Sequence, residues 1–218
     1  MIVFRDLTKS FVVRGVRKVV VNNLNMTLSS GQSLALLGRN GAGKSTLLQM
    51  IAGTLRPDSG DILSDGTISW PVGFRGAFHR DLTGAQNTRF IARIYGVDSD
   101  RLRIFVEDFA EIGAYFHMPV RSYSSGMRSR LAFGISMGIK FDTYLVDEVT
   151  AVGDASFKRK SRAVFRERVK DSSAILVSHD MKQVREFCEA GILLHDGHLK
   201  YYEDLDEAIA HHQALLAD

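Results

Sequence analysis

The run LALLGRNGAGKSTLL at 34–48 constrains the fold more than any other stretch of the chain. A short apolar strand passes through glycines into an amphipathic helix, with Gly38, Gly43, Lys44 and Ser45 at the spacing of a phosphate loop. Glycines let successive backbone N–H groups converge on a phosphate without a Cβ in the way. Gly38, Arg39, Asn40, Gly41, Ala42, Gly43, Lys44, Ser45 and Thr46 are therefore the expected nucleotide cradle. Lys44 supplies a point charge for the β/γ-phosphates and Ser45 a hydroxyl for Mg²⁺. A loop of this kind needs a strand behind it and a helix after it, which already asks for an α/β layer structure.

The rest of the chain follows that pattern. Residues 1–35 alternate apolar and polar, with turn signals at Arg14-Gly15 and Ser30-Gly31, and read as antiparallel β. Short strands are expected near Asp61–Leu63 and Ile68–Trp70. Leu102, Phe105, Val106, Phe109 and Ile112 then fall at helical spacing, so roughly 85–140 reads as a helical insert. The sheet resumes with TYLVDE at 143–148, a basic helix at about 155–170, the strand AILVSH, two closing strands and a final helix. The expectation is one domain over 1–218, a mostly parallel sheet with an N-terminal antiparallel part and an inserted helical part.

Two acids, Asp147 and Glu148, end an apolar strand, where open α/β sheets bind their ligands. Asp147 suits Mg²⁺ held through water, and Glu148 suits the orientation or deprotonation of an attacking water. His179 ends the next strand at the same sheet edge, within reach of a γ-phosphate. A second turn of small residues, Ser124, Ser125 and Gly126, opens another helix in SYSSGMRSR. It too has the form of an anion site at a helix N-terminus.

Composition narrows the class. The 218 residues carry 45% hydrophobic and 24% charged side chains and a net charge of +3, an ordinary globular balance too weakly basic to argue for nucleic acid. The single cysteine rules out an internal disulfide. The N-terminus shows no apolar leader, and no apolar run reaches the roughly 18 residues that would span a bilayer. A partner is expected to do any spanning.

With these pieces in order, the whole chain resembles the nucleotide-binding subunit of an ABC transporter, a RecA-like P-loop NTPase fold. GRNGAGKST matches its Walker A motif, YLVDE its Walker B motif with the catalytic glutamate, and Val177-Ser178-His179 its switch histidine. Tyr123-Ser124-Ser125-Gly126-Met127 matches the family signature, and Ala151-Val152-Gly153-Asp154 the D-loop. Phe11 sits where an aromatic usually stacks on adenine. The runs SWPVGFRGAF, DLTG, RFIARIYG and DEVTAVGD look like those of capsular polysaccharide exporters. Exporters of O-antigen and teichoic acid share shorter versions, and some carry a C-terminal sugar-recognition domain that this sequence does not show. The resemblance implies ATP and Mg²⁺ as cofactors, a separate permease, a polysaccharide moved by the complex, and no nucleic acid. A soluble, non-transport member is a further alternative. Such members usually have a coiled-coil insert or two tandem halves, and neither is visible.

The resemblance also implies a second copy of the chain. One phosphate loop and one signature per chain make two composite sites in a head-to-tail homodimer, each signature facing the γ-phosphate held by the other subunit. Two departures stand out. Ser125 and Met127 replace glycine and glutamine of the signature. His79 occupies the place of the glutamine that senses Mg²⁺ and the permease; it reads either as a water-mediated sensor or as an uninvolved loop histidine. Other features stay open. FKRKSRAVFRERVK at 157–170 reads as the solvated face of a surface helix or as a lipid-headgroup contact. Trp70, Phe74, Phe78 and the segment Arg89–Tyr95 read as permease contacts or core. His211-His212 reads as a solvated pair.

Overall fold

The computed structural model describes residues 1–72, 78–147 and 154–217. The chain separates into two compact units. The first holds two sheets. In the antiparallel one, the central strand β1 (Ile2–Val13) pairs with β2 (Val16–Leu28) on one side and β4 (Ser59–Ser64) on the other. Arg14 and Gly15 both take positive φ, 52° and 79°, the mirror-image turn whose twist matches a two-residue hairpin. That turn fixes the register: Val13 faces Val16, Val12 faces Arg17 and Phe11 faces Lys18.

The second sheet holds β3 (Leu34–Leu37), β5 (Thr143–Asp147), β6 (Ser173–Val177), β7 (Ala190–His195) and β8 (His198–Tyr202). Their order across it is β5-β6-β3-β7-β8. All pair in parallel except β8, which runs antiparallel to β7. β3, β5 and β6 are apolar and buried on both faces, as strands covered on both sides must be. Their carboxyl ends lie side by side, with Asp147 opposite Val177 in the ladder. The loops after β3, β5 and β6 therefore open on one edge. The Ile68–Trp70 stretch is an isolated bridge from Ile68 to Thr143, not a strand. Trp70 packs edge-on against Phe141, 5.5 Å between ring centroids, and so serves packing.

Helix α1 (Lys44–Ile51) leaves the phosphate loop and buries Leu47, Leu48, Met50 and Ile51. Leu47 and Leu48 join one core with Phe4, Val21, Leu36, Leu145 and Ile192 from both sheets. Helix α6 (Met181–Phe187) ends at Cys188, which is buried; burial pushes its thiol up to about 12. Helix α7 (Leu205–Ala217) lies on β7, with Gly191 leaving room for Ala208: a Cβ there would come within 2.4 Å of the Ala208 methyl. Ala208, Ile209 and His212 form its buried face. His212 is only 8% exposed and its Nδ1 has no hydrogen-bond partner among the described residues. His211 contacts the Tyr202 hydroxyl. The expectation of a solvated histidine pair is thus wrong: the face at 208, 209 and 212 is the one laid on the sheet.

The second unit is helical: α2 (Gly84–Ile94), α3 (Ser99–Ala110), two short 3₁₀ turns, α4 (Ser125–Gly138), and α5 (Ala155–Val169) as far as Arg168. Thr83 and Gln86 close α2 with a reciprocal capping box, and Asp98 caps α3. α4 is buried from Leu131 to Met137 and is the central helix of the unit. α5 belongs here rather than with the sheet. Phe157, Ser161 and Phe165 are its buried stripe, Phe157 meets Phe109 edge-on at 5.3 Å, and Arg168 donates from Nε to the Met137 carbonyl at 2.7 Å. Its basic side chains otherwise hid this attachment in the sequence. On α2, Phe90 and Ile94 are 55% and 61% exposed while Ile91 and Ala92 are buried, so that stretch has one core face and one apolar face open at the surface.

Candidate nucleotide-binding site

The first unit carries a cleft of about 440 Å³ at the edge where β3, β5 and β6 end. Of the expected site residues, Phe11, Asn40, Gly41, Gly43, Lys44, Ser45, Thr46, Asp147 and His179 line it. Glu148, together with Ala151–Gly153 and Phe74, lies outside the described residues.

Two glycines make the loop possible. Gly43 has φ 108° and caps α1; a Cβ on it would come within 2.2 Å of the Val20 side chain on β2. A Cβ on Gly38 would meet the Leu194 carbonyl of β7 at 2.5 Å. No side chain fits at either place, so the loop backbone runs in contact with both neighbours. The Arg39 carbonyl accepts from Ala42 N–H at 3.0 Å, which closes the turn and leaves the following amides at the head of α1.

Lys44 folds back on the loop that carries it. Its ammonium donates to the carbonyls of Gly38 and Arg39 at 2.7 and 3.1 Å. Partial burial holds its pKa below the ordinary lysine value, while the charge of Asp147 pulls the other way. Ser45 Oγ donates to Asp147 Oδ2 at 2.9 Å, so the expected metal hydroxyl and carboxylate already touch. His179 follows β6 between two anchored neighbours. Ser178 Oγ donates to Gln183 Oε1 at 2.8 Å, and Asp180 accepts from the Lys182 amide at the start of α6. Behind this edge His212 is held below the usual histidine pKa, first by burial and then by the charges of Lys44 and His179.

No sequence motif singles out Lys18. It nevertheless lines the cleft and donates to the Gly41 carbonyl at 2.6 Å. The signal was present in the hairpin turn, whose register sets Lys18 opposite Phe11.

Gly38, Arg39 and Ala42 complete the loop in the first unit, whereas Ser124, Ser125, Gly126, Asp154 and His79 belong to the second. Ser124 caps α4, its hydroxyl accepting from Met127 N–H at 3.2 Å. The amides of Ser125 and Gly126 have no partner among the described residues, and a Cβ on Gly126 would meet nothing nearer than Ser124 Oγ at 3.8 Å. This end of α4 opens on a depression of about 700 Å³ lined by Ser124, Gly126, Met127 and Arg130. Tyr123 before it is buried and accepts from Gly84 N–H at 3.1 Å; burial pushes its phenol up to about 12, against that bond. Asp154 Oδ1 caps α5 by accepting from Ser156 and Phe157 N–H, while Oδ2 takes Arg130 of α4 at 2.8 Å. His79 is exposed; its Nδ1 accepts from Asp81 N–H at 3.3 Å. Its backbone is clamped by buried Asn87, which accepts from His79 N–H and donates to the His79, Leu82 and Thr83 carbonyls. Asn87 was not singled out in the sequence, where it reads as one more polar helix residue.

Residues 21–151 match the family model described as ABC transporter. The chain belongs to the ABC transporter family. It is 52% identical to the polysialic acid transport ATP-binding protein KpsT of Escherichia coli, over 96% of this chain and 95% of that one. It is 43% identical to the capsule polysaccharide export ATP-binding protein CtrD of Neisseria meningitidis serogroup B, over 99% of this chain and all of that one. The fold is shared with the ATP-binding cassette MJ0796, whose dimer was solved in a post-hydrolysis state with ADP and Pi. The TM-score is 0.75 at 20% identity, covering 92% of this chain and 98% of that one. Among the described residues no helix is long and apolar enough to cross a membrane.

Asp154 makes the α4–α5 tie testable. Hydrogen bonds from Phe157 N–H, then the Arg130 charge and Ser156 N–H, hold its carboxyl below the usual range. A depressed carboxylate contributes stability above its unfolded pKa and loses it as pH falls through the folded value. The melting-temperature gap between wild type and Asp154→Ala should therefore be fully open at about pH 6 and narrow as pH falls below the ordinary aspartate value, about 3.9. A gap that does not change with pH would mean the carboxylate contributes nothing through its charge.

Proposed function

We propose that the chain is the ATP-hydrolysing subunit that drives a separate membrane permease, and that the polymer exported is capsular polysaccharide. The observation that carries the ATPase reading is the convergence of Lys44, the Ser45–Asp147 pair and His179 in one cleft, with Phe11 on the same cleft. Adenine would lie against Phe11, and the phosphates on the loop from Gly38 to Thr46. On this reading Lys44 leaves the Gly38 and Arg39 carbonyls for the β/γ-phosphates, and Glu148 orients the attacking water. His179 contacts the γ-phosphate. Mg²⁺, when bound, offsets phosphate charge. Ser45 and Asp147 are the residues that would hold it, Asp147 through water. Their two hard oxygens fit such an ion, and among the described residues no three His, Cys, Asp or Glu side chains are grouped to bind a metal alone. That suits a cation that keeps its waters and depends on the phosphates.

His79 is assigned as a sensor acting through water. With Nδ1 accepting from Asp81, the neutral ring carries its proton on Nε2 and donates, so it suits a water or phosphate oxygen. Two chains would pair head to tail. The amides of Ser125 and Gly126 and the dipole of α4 would cap the γ-phosphate bound by the other copy, with Ser124 shaping the turn. Asp154, tied to Arg130, would hold that turn in place. The chain would sit at the cytoplasmic face of the inner membrane through its permease, and the exposed Phe90 and Ile94 on α2 suit an apolar helix of such a partner. The polymer assignment rests on the likeness to KpsT and CtrD.

Glu148→Gln, extracted in detergent with MgATP, should copurify as two copies with a polytopic membrane protein, and its host should lose surface polysaccharide. A monomeric product with normal surface polymer would overturn the proposal, and loss of a different surface glycan would reassign the cargo. Ser124→Arg should lower turnover by about a hundredfold while nucleotide affinity changes less than about threefold. Equal loss of both would place Ser124 in nucleotide binding instead. His79→Gln should change turnover at saturating MgATP. An unchanged rate would remove His79 from the cycle.

A further inference from the structure

The nucleotide cleft holds one cation that none of the motifs accounts for. Lys18 sits on β2 directly opposite Phe11 of β1. Residues paired in this way share one face of the sheet, with Cβ atoms about 5 Å apart. From there its side chain reaches the phosphate loop, where the ammonium donates to the Gly41 carbonyl at 2.6 Å. A Cβ on Gly41 would stand 3.4 Å from the same nitrogen. Lys18 therefore bridges the ring expected to meet the base and the loop expected to meet the phosphates.

Its electrostatic setting differs from that of its neighbours. Lys9, on the same hairpin, is neutralised by Asp58 at 2.8 Å. Arg17 donates to the Ser10 hydroxyl at 3.2 Å. Among the described residues Lys18 has no carboxylate partner; a neutral carbonyl takes one of its three donors. Among the described residues the charged side chains lining the cleft, histidine aside, are Lys18, Lys44 and Asp147. Two ammonium groups in one cleft suit a polyanion such as a polyphosphate. The two ammonium groups also stand at different parts of the loop, Lys18 at Gly41 and Lys44 at Gly38 and Arg39.

We propose that Lys18 is a nucleotide-binding residue that holds the phosphate nearest the nucleoside, the α-phosphate, and so divides the polyphosphate with Lys44. The proposal rests on the reading that the cleft takes ATP with its base at Phe11. Under that reading the α-phosphate is the part of the ligand between ring and loop. An α-phosphate is common to tri- and diphosphates, so Lys18 sets how tightly the nucleotide is held, whereas Lys44 distinguishes the two.

Titration calorimetry of the full chain with AMP-PNP and with ADP tests this. Lys18→Gln keeps a donor for the Gly41 carbonyl but removes the charge. It should weaken both nucleotides by the same factor, about tenfold, with the difference from wild type shrinking as salt is raised. Lys18→Arg should restore most of the affinity. Affinities for both nucleotides within about twofold of wild type would overturn the proposal. A loss confined to AMP-PNP would overturn it as well, since the contact would then be at the γ-phosphate. If Lys18→Gln weakens binding, lowers the melting temperature of the nucleotide-free protein and is not rescued by Lys18→Arg, Lys18 only braces the loop and the proposal fails. Lys44→Ala is the control for the underlying reading: wild-type affinity in that variant would remove the ATP site itself, whatever Lys18 does.

Discussion

The first unit depends on a close approach of backbones. The phosphate loop is wedged between β2, whose Val20 fills the space beside Gly43, and β7, whose Leu194 carbonyl fills the space beside Gly38. Nothing larger than hydrogen can stand at those α-carbons, so the loop's shape is set by the two sheets as much as by its own glycines. An amide cradle binds phosphate well only if it does not have to reorganise, and this wedge is what keeps it in place. The order β5-β6-β3 then does the rest, because three adjacent parallel strands end together and deliver Asp147 and His179 to the same edge.

The hairpin ahead of the loop takes part in the site and is more than a cover. One strand carries Phe11 and Val20 comes from the other, with the mirror-image turn at Arg14-Gly15 fixing which residues face each other. A shift of one residue in that register would send Lys18 and Phe11 to opposite faces. The turn thus acts on the chemistry of the cleft from its far end.

How much of this was legible differs from element to element, for physical reasons. The loop from Gly38 to Ser45 was plain because its spacing is dictated by a ligand, and Asp147 because an acid ending a buried strand is costly without a purpose. The helical insert showed through the period of Leu102, Val106 and Phe109. The attachment of α5 did not, because one of its three buried positions is a serine and the helix is otherwise basic. Lys18 was hidden because strand alternation tells which face a residue takes but not what stands across from it. His212 was hidden because two adjacent histidines read as polar, although a helix can bury one and expose the other. The clamp of Asn87 on His79 depends on a turn closing over eight residues, which no local pattern announces.

The lone thiol has a consequence of its own. Cys188 is buried beyond the end of α6, and its thiol is pushed up to about 12. Only the thiolate is nucleophilic, and burial keeps little of it formed at neutral pH. In the folded protein this thiol is therefore slow to react with thiol-directed reagents. Any rapid capture of a maleimide by this chain measures opening of the region around α6, which makes the one cysteine a built-in clock for unfolding.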